Sequence, residues 1–157
     1  MSYEKVKQYF DKLGLGERII IRDSIGDTVE HAAKAIGCEP ACIAKTMSFI
    51  QNNTPILIVM SGDAKVSNSK YRNYFQEKAK MIPWDSVEEF VGHIPGAVCP
   101  FAINEGVKVY LDISLKRFDI VHTAGGSVNS TIGLSIRELE KYSKYESWID
   151  VCNGWNE

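Results

Sequence analysis

A chain of 157 residues with 45% hydrophobic and 24% charged residues fits a single compact domain over residues 1–157. Its formal net charge of −2 excludes a protein that coats nucleic acid through its overall field, though not one that touches only an RNA end. No apolar run approaches the roughly 20 residues a bilayer span requires. The opening Met1-Ser2-Tyr3-Glu4-Lys5 is polar, so a cytoplasmic home without a membrane partner is expected. Cys38, Cys42, Cys99 and Cys152 are too sparse for a disulfide framework, and reduced thiols are expected.

Taken in chain order, Val6, Tyr9, Phe10 and Leu13 stand at helical spacing behind Ser2 as a cap, and Gly14 ends that helix. Ile19-Ile20-Ile21 reads as a short strand. Thr28 can cap a helix that runs to Ile36, with Gly37 as its stop. Residues 42–50 and 55–61 read as two strands of a hairpin with a four-residue connection, 51–54. Gly62-Asp63 breaks the second strand, Ser67 caps a helix to about residue 77, and residues 86–91 form a shorter one. Residues 92–100 hold two Gly and two Pro and read as a loop. Strands are expected at 107–113, 119–122 and 127–134, a last helix at 135–142 under Ser135, and an edge strand at 148–152. Strands mixed with helices through short turns make an α+β domain with a mixed sheet.

Lys45 is the most informative side chain. On a strand, period-two alternation puts Ile43, Lys45, Met47 and Phe49 on one otherwise apolar face. A buried ammonium costs several kcal/mol unless it is paired or loses its proton, so a lysine there has a partner or a task. The alternative is a sheet edge from which the stem snorkels to water. The loop 92–101 can bring backbone N–H groups close to a ligand, or can simply connect a helix to a strand. Segment 64–81 carries Lys65, Lys70, Arg72, Lys78 and Lys80 against one acid, Glu77, which is either a local anion-binding patch or a solvated face. Cys99 with His93 six residues earlier invites a thiol-nucleophile reading. Cys38-x-x-x-Cys42 with His31 upstream lacks a second Cys/His pair, so no metal site is expected and the pair reads as small core residues. His122 reads as a satisfied histidine, and Asp112 and Asp119 as turn or surface residues.

The ordered set Lys45-Thr46, Gly62-Asp63, Gly92-His93-Ile94-Pro95-Gly96-Ala97-Val98-Cys99-Pro100-Phe101 and Ala124-Gly125-Gly126 resembles the YbaK/EbsC family. This is the YbaK/proline-tRNA-synthetase-associated domain of aminoacyl-tRNA deacylases, and the likeness covers roughly residues 20–142. Ala97 and Ala102 stand where the commonest pattern has glycine. The resemblance implies a mixed, partly barrel-like β-sheet flanked by helices.

It also implies hydrolysis, in trans, of the ester that joins an amino acid to the terminal ribose of a mischarged tRNA, without a cofactor. Lys45 would act electrostatically, with water or a group of the substrate as nucleophile. Thr46, Gly62, Asp63, His93, Pro95, Gly96, Ala97, Val98, Cys99, Gly125 and Gly126 would surround the substrate. Lys65, Lys70 and Arg72 would greet the acceptor end, with an aminoacyl-tRNA synthetase as a further partner. The rival readings are a non-catalytic module that binds an aminoacyl, nucleotide or tRNA end with the same pocket, and a thiol enzyme centred on Cys99.

Overall fold

The computed structural model describes residues 2–21 and 29–155, apart from the side chains of residues 31 and 35. Thr28, the expected cap of the second helix, lies outside the described residues. Helix α1 (Ser2–Lys12) buries Val6 and Phe10, one turn apart on the same face. Phe10 meets Phe101 edge-on with ring centroids 4.8 Å apart, and the Tyr9 hydroxyl donates to the Tyr142 carbonyl at 2.7 Å. Burying a side chain of this size contributes about 1.5–3 kcal/mol, which fixes the helix on the glycine- and proline-rich loop. Ser2, expected as a cap, is already helical, and its hydroxyl bonds His93 Nδ1 instead.

Strand β1 (Ile19–Ile21) and helix α2 (Val29–Ile36) precede a hairpin of β2 (Ala44–Gln51) and β3 (Thr54–Ser61). The strands pair from Ala44–Ser61 to Gln51–Thr54, so the connection is the two residues Asn52-Asn53 rather than four. Both have positive φ, 53° and 61°, the conformation of a type I′ hairpin turn, which asparagine tolerates. After β4 (Lys65–Val66) comes α3 (Asn68–Phe75), capped by Ser67 accepting from the Lys70 N–H and stopped by left-handed Gln76. A 3-10 turn at Trp84–Ser86 leads into α4 (Val87–Val91).

The second half supplies β5 (Lys108–Asp112), β6 (Ile120–Ala124), β7 (Ser130–Ser135), α5 (Ile136–Ser143), β8 (Ser147–Ile149) and β9 (Cys152–Asn153). Ser135 and Glu138 form a reciprocal capping box at the start of α5. The four-stranded sheet has the order β2-β3-β5-β8, antiparallel in its first pair and parallel in the next two. A three-stranded antiparallel sheet has the order β1-β7-β6, and β4 pairs with β9. A parallel bridge between Ile43 and His122 joins the two larger sheets edge to edge. The result is the mixed α+β architecture expected, with open sheets and no closed barrel among the described residues.

The tail does not make one strand over 148–152; it splits into β8 and β9, which serve different sheets. Asp112 takes the turn role of its two expected alternatives: fully buried, its carboxylate caps the 3-10 turn Ile113–Arg117 by accepting the Ser114 N–H and also accepts the Val151 N–H, each at 2.9 Å. Of the two alanines that replace family glycines, Ala97 has ordinary φ, whereas Ala102 is held at φ 54°. A left-handed alanine is strained by about 1–2 kcal/mol, against about 0.5–1 kcal/mol of extra entropy lost by glycine. Ala102→Gly should therefore raise the thermal unfolding midpoint by roughly 1–3 °C. A fall in a calorimetric scan would mean that packing of the Ala102 methyl outweighs the strain.

Candidate functional site

The outer edge of β2 determines where the cavity can be. One edge of β2 is fully occupied by β3. At the start of the other edge lies the Ile43–His122 bridge, and at its end the chain at Lys80–Ile82 pairs with it. There the Ile50 N–H donates to the Lys80 carbonyl at 2.8 Å and the Ile82 N–H to the Ser48 carbonyl at 3.2 Å. Between those two seals the edge is open among the described residues. Alternation along an antiparallel strand means that Thr46, sharing the parity of Ser48 and Ile50, turns its own N–H and C=O toward that gap.

A cavity of about 490 Å³ fills the gap, within the usual range for small-molecule sites. Every residue from Ile43 to Ser48 lines it, because a strand edge exposes both of its faces. Opposite stand Met81–Trp84 before α4, the loop residues Pro95, Gly96 and Val98, and β6 with His122. Trp84, 65% exposed, forms an apolar rim. The walls are apolar for the most part, with Lys45 the cationic side chain among the lining residues.

Lys45 is half-buried, and burial pushes its pKa below the ordinary lysine value, opposed by Cys152, Asp63 and Glu30. Its Nζ makes one long hydrogen bond, 3.4 Å, to the Gly62 carbonyl. Among the described residues no carboxylate pairs with it directly. Asp63 is occupied elsewhere. Arg117 grips it with two N–H···O bonds of 2.7 and 3.1 Å and also bonds Ser61 Oγ and the Trp155 carbonyl, each at 2.7 Å. Burial raises the Asp63 pKa, but the bonds from Arg117 and Ser61 outweigh it and hold the carboxyl below its usual value. The Gly62-Asp63 turn is thus braced from behind, and Asp63 is spent on Arg117 rather than on Lys45.

Two further features show unused polar capacity. Among the described residues Thr46 Oγ1 and Thr131 Oγ1 are buried without a partner, and both residues line the cavity. Buried hydroxyls are ordinarily bonded, so two orphans in one cavity point to a ligand. In the loop, among the described residues, neither the Gly96 nor the Val98 N–H has a protein acceptor, whereas the Ala97 N–H is spent on the Ile94 carbonyl at 3.1 Å. Gly96 has φ 86°, a left-handed conformation that glycine adopts readily, and both Gly96 and Val98 line the cavity.

Residues 24–142 match the model of the aminoacyl-tRNA editing domain. The chain belongs to the aminoacyl-tRNA editing domain family. It is 42% identical over 156 residues to the uncharacterized protein YwhH of Bacillus subtilis strain 168, covering 99% of each chain. It is 24% identical over 125 residues to the proline–tRNA ligase of Levilactobacillus brevis, a match that spans 79% of this chain and 22% of the ligase. Its fold superposes with a TM-score of 0.87 on a candidate trans-editing enzyme for prolyl tRNA synthetase, at 23% identity and over 98% of both chains.

Within this editing domain the sequence-predicted residues separate into two groups. Lys45, Thr46, Pro95, Gly96 and Val98 line one cavity, with Gly62 and Asp63 bracing Lys45 from behind. His93, Ala97 and Cys99, expected around the substrate, are fully buried and do not line it. The His93 nitrogens are taken by Ser2 Oγ and, at 2.7 Å, the Phe101 carbonyl, so the imidazole pins the loop to α1. Cys99 Sγ does sit 3.6 Å from His93 Nε2, but burial pushes the thiol up to about 12. Gly125 and Gly126 also lie off the cavity. Gly125 donates to the Ser130 carbonyl at 2.9 Å, and Gly126 allows α1 to pack against the turn, where a Cβ would meet Ser2 and Tyr3.

The basic patch divides similarly. Lys65 shares a smaller groove with Lys45, Met47 and Met81 that continues the cavity outward. Lys70 is committed to the Cys152 carbonyl at 2.9 Å and Asp150 at 3.2 Å, while Arg72 is exposed on α3. Sequence reasoning missed Arg117, Met81, Trp84 and His122, which come from segments with no motif of their own. The expectation that all cysteines are reduced also fails, since Cys38 and Cys42 form a disulfide.

Gly62 is glycine for a steric reason, because a Cβ there would collide with the Pro40 carbonyl oxygen and Val29. Gly62→Ala should destabilise the domain by about 2 kcal/mol or more, lowering the unfolding midpoint by roughly 5 °C. An unchanged midpoint in thermal denaturation would mean that the Pro40 turn yields freely and does not brace Lys45.

Proposed function

We propose that this chain is an aminoacyl-tRNA deacylase that hydrolyses the ester of a mischarged tRNA in trans. The observation that carries the reading is one apolar cavity lined both by half-buried Lys45, which has no carboxylate partner among the described residues, and by Gly96 and Val98, whose N–H groups have no protein acceptor among them.

The chemistry asks for what these residues offer. Water attack on an ester carbonyl builds negative charge on its oxygen, and preorganised donors stabilise that charge. The N–H groups of Gly96 and Val98 supply two such donors. The backbone edge at Thr46 offers a C=O for the substrate's α-ammonium and an N–H for a second oxygen. Lys45 sets a positive potential for the terminal phosphate or the acyl oxygen rather than acting as the base. The proton from the attacking water leaves to solvent or to the ribose oxygen that departs. No protein nucleophile takes part. Lys65 extends the positive field outward along the groove, toward the acceptor end. The apolar walls favour a small uncharged side chain, and discrimination by one methylene amounts to about 1–3 kcal/mol, so selectivity by size is partial.

Lys45 also costs stability. Its folded-state pKa lies below the unfolded value, so it opposes folding at every pH below that depressed value. The penalty fades as pH rises from there toward 10.5. Lys45→Met should therefore raise the unfolding midpoint at neutral pH while lowering kcat/KM on the best of a panel of aminoacyl-tRNAs by about 100-fold or more. Unimpaired hydrolysis by this folded variant would remove Lys45 from the mechanism. Ligand binding by the wild type with no hydrolysis of any panel member would replace the deacylase with a binding module.

Cys99 gives an independent check. With a thiol at about 12, roughly one chain in 10⁵ carries the thiolate at neutral pH. Cys99→Ala should keep hydrolysis within about twofold of wild type, and loss of turnover in a folded variant would revive the thiol mechanism.

A further inference from the structure

Beside the cavity, three ligand-bearing side chains converge that the hydrolytic reading does not use. The sulfurs of Cys38 and Cys42 and an imidazole nitrogen of His122 all lie within 4.8 Å of one another. Two local devices bring them there. The 3-10 turn Pro40–Cys42 folds the chain back so that the Cys38 and Cys42 Cα atoms stand 6.6 Å apart. The parallel bridge at Ile43, the next residue, then sets His122 of β6 alongside. The ring is seated by Gly133 on the neighbouring strand, where a Cβ would stand 3.0 Å from His122 Cε1. Among the described residues the imidazole has no hydrogen-bond partner, and all three side chains are half-buried.

We propose that Cys38, Cys42 and His122 form a thiol-gated site for a zinc-like divalent cation, open when the cysteine pair is reduced and closed when it is a disulfide. Two thiolates and an imidazole are a Cys₂His donor set, which zinc accepts with a fourth position left for water or another ligand. The spacing Cys-x₃-Cys falls within the range that grips one ion from a single turn. At Zn–S distances of about 2.3 Å the sulfurs would stand roughly 3.8 Å apart, a separation that side-chain rotation about a 6.6 Å Cα pair can supply.

The gating step balances with a dithiol as reductant. Its two thiols pass two electrons and two protons to the Cys38–Cys42 bond, which becomes two thiols while the reductant closes into its own cyclic disulfide. Zinc then displaces both thiol protons and takes the neutral imidazole as its third ligand. A two-electron oxidant such as a small-molecule disulfide reverses the first step and expels the ion. Because His122 also lines the cavity and Pro40 packs on Gly62, the site abuts the wall that carries Lys45.

The test needs no RNA, so its outcome is separate from that of the deacylase reading. Metal-free protein, reduced with a dithiol and then desalted, is titrated with Zn²⁺ against a chromophoric chelator. Co²⁺ in parallel reports thiolate charge-transfer and tetrahedral ligand-field bands. One ion per reduced chain is expected, with none for the disulfide form, none for Cys42→Ser, and at least tenfold weaker binding for His122→Asn. Cys38→Ser gives the same reading should Cys42→Ser fail to fold. No stoichiometric binding by the reduced wild type would overturn the proposal. So would a folded His122→Asn that binds as tightly as wild type, or a Co²⁺ complex without a thiolate band.

Discussion

The rest of the site depends on a break in the pairing of one strand edge. β2 is sealed at its start by the Ile43–His122 bridge and near its end by Lys80–Ile82, and left unpaired between them. Edge strands invite promiscuous pairing, and proteins ordinarily cover or charge them. Here the cover stops at Ile43 and resumes at Ser48, either side of Thr46, and the opening is enclosed by α2, the approach to α4 and the 92–101 loop. A short stretch of backbone donors and acceptors is thereby held in an apolar enclosure before any ligand arrives. Preorganisation of that kind spares the reorganisation that water would demand.

The opening would be of little chemical use without a charge, and the charge is kept available by arrangement around it. A carboxylate placed against Lys45 would neutralise it. The nearby Asp63 is instead held by Arg117, which also ties down Ser61 and the tail at Trp155. Arg117 can do this because its planar fork satisfies both carboxylate oxygens at once, which a lysine could not. Asp63 still favours the protonated form of Lys45 at a distance without pairing with it, and the Lys45 ammonium makes only the long bond to the Gly62 carbonyl among the described residues. The burial that enlarges the field of the ammonium is the same burial that makes it destabilising, which is the usual trade at a functional site.

What was legible in the sequence follows from the range of the interactions concerned. The Ser135 cap, the Ser67 cap and the Gly62-Asp63 break are set by neighbours a few residues away, and each stands where the pattern placed it. Lys45 was legible because a lone cation in an apolar alternation is locally anomalous. The edge that makes Lys45 useful was not, since the sealing partners lie some 30 and 80 residues further along. The turn role of Asp112 was legible because Ser114 is two residues away, whereas its burial was not, its second partner being Val151. Glycines were ambiguous: Gly96 turns a loop at the cavity, while Gly126 admits a helix backbone, and the two look alike in a sequence.

The cysteines show most sharply that burial and tertiary neighbours, rather than spacing, decide chemistry. His93 and Cys99 have the look of a nucleophile and its base, and their side chains do meet. Yet the imidazole is saturated by Ser2 and Phe101, and the thiol is fully buried and far from ionising, so the pair locks the loop to α1. Cys38 and Cys42 have the look of small packing residues, and become reactive in prospect only because a β-bridge delivers an unbonded imidazole from a distant strand. Cys99 thus takes a structural role against the look of its sequence context, and Cys38 with Cys42 departs from the packing role that theirs suggests. Both departures are possible because thiol reactivity is set by desolvation and by the charge or ligand it faces, neither of which is encoded in adjacent residues.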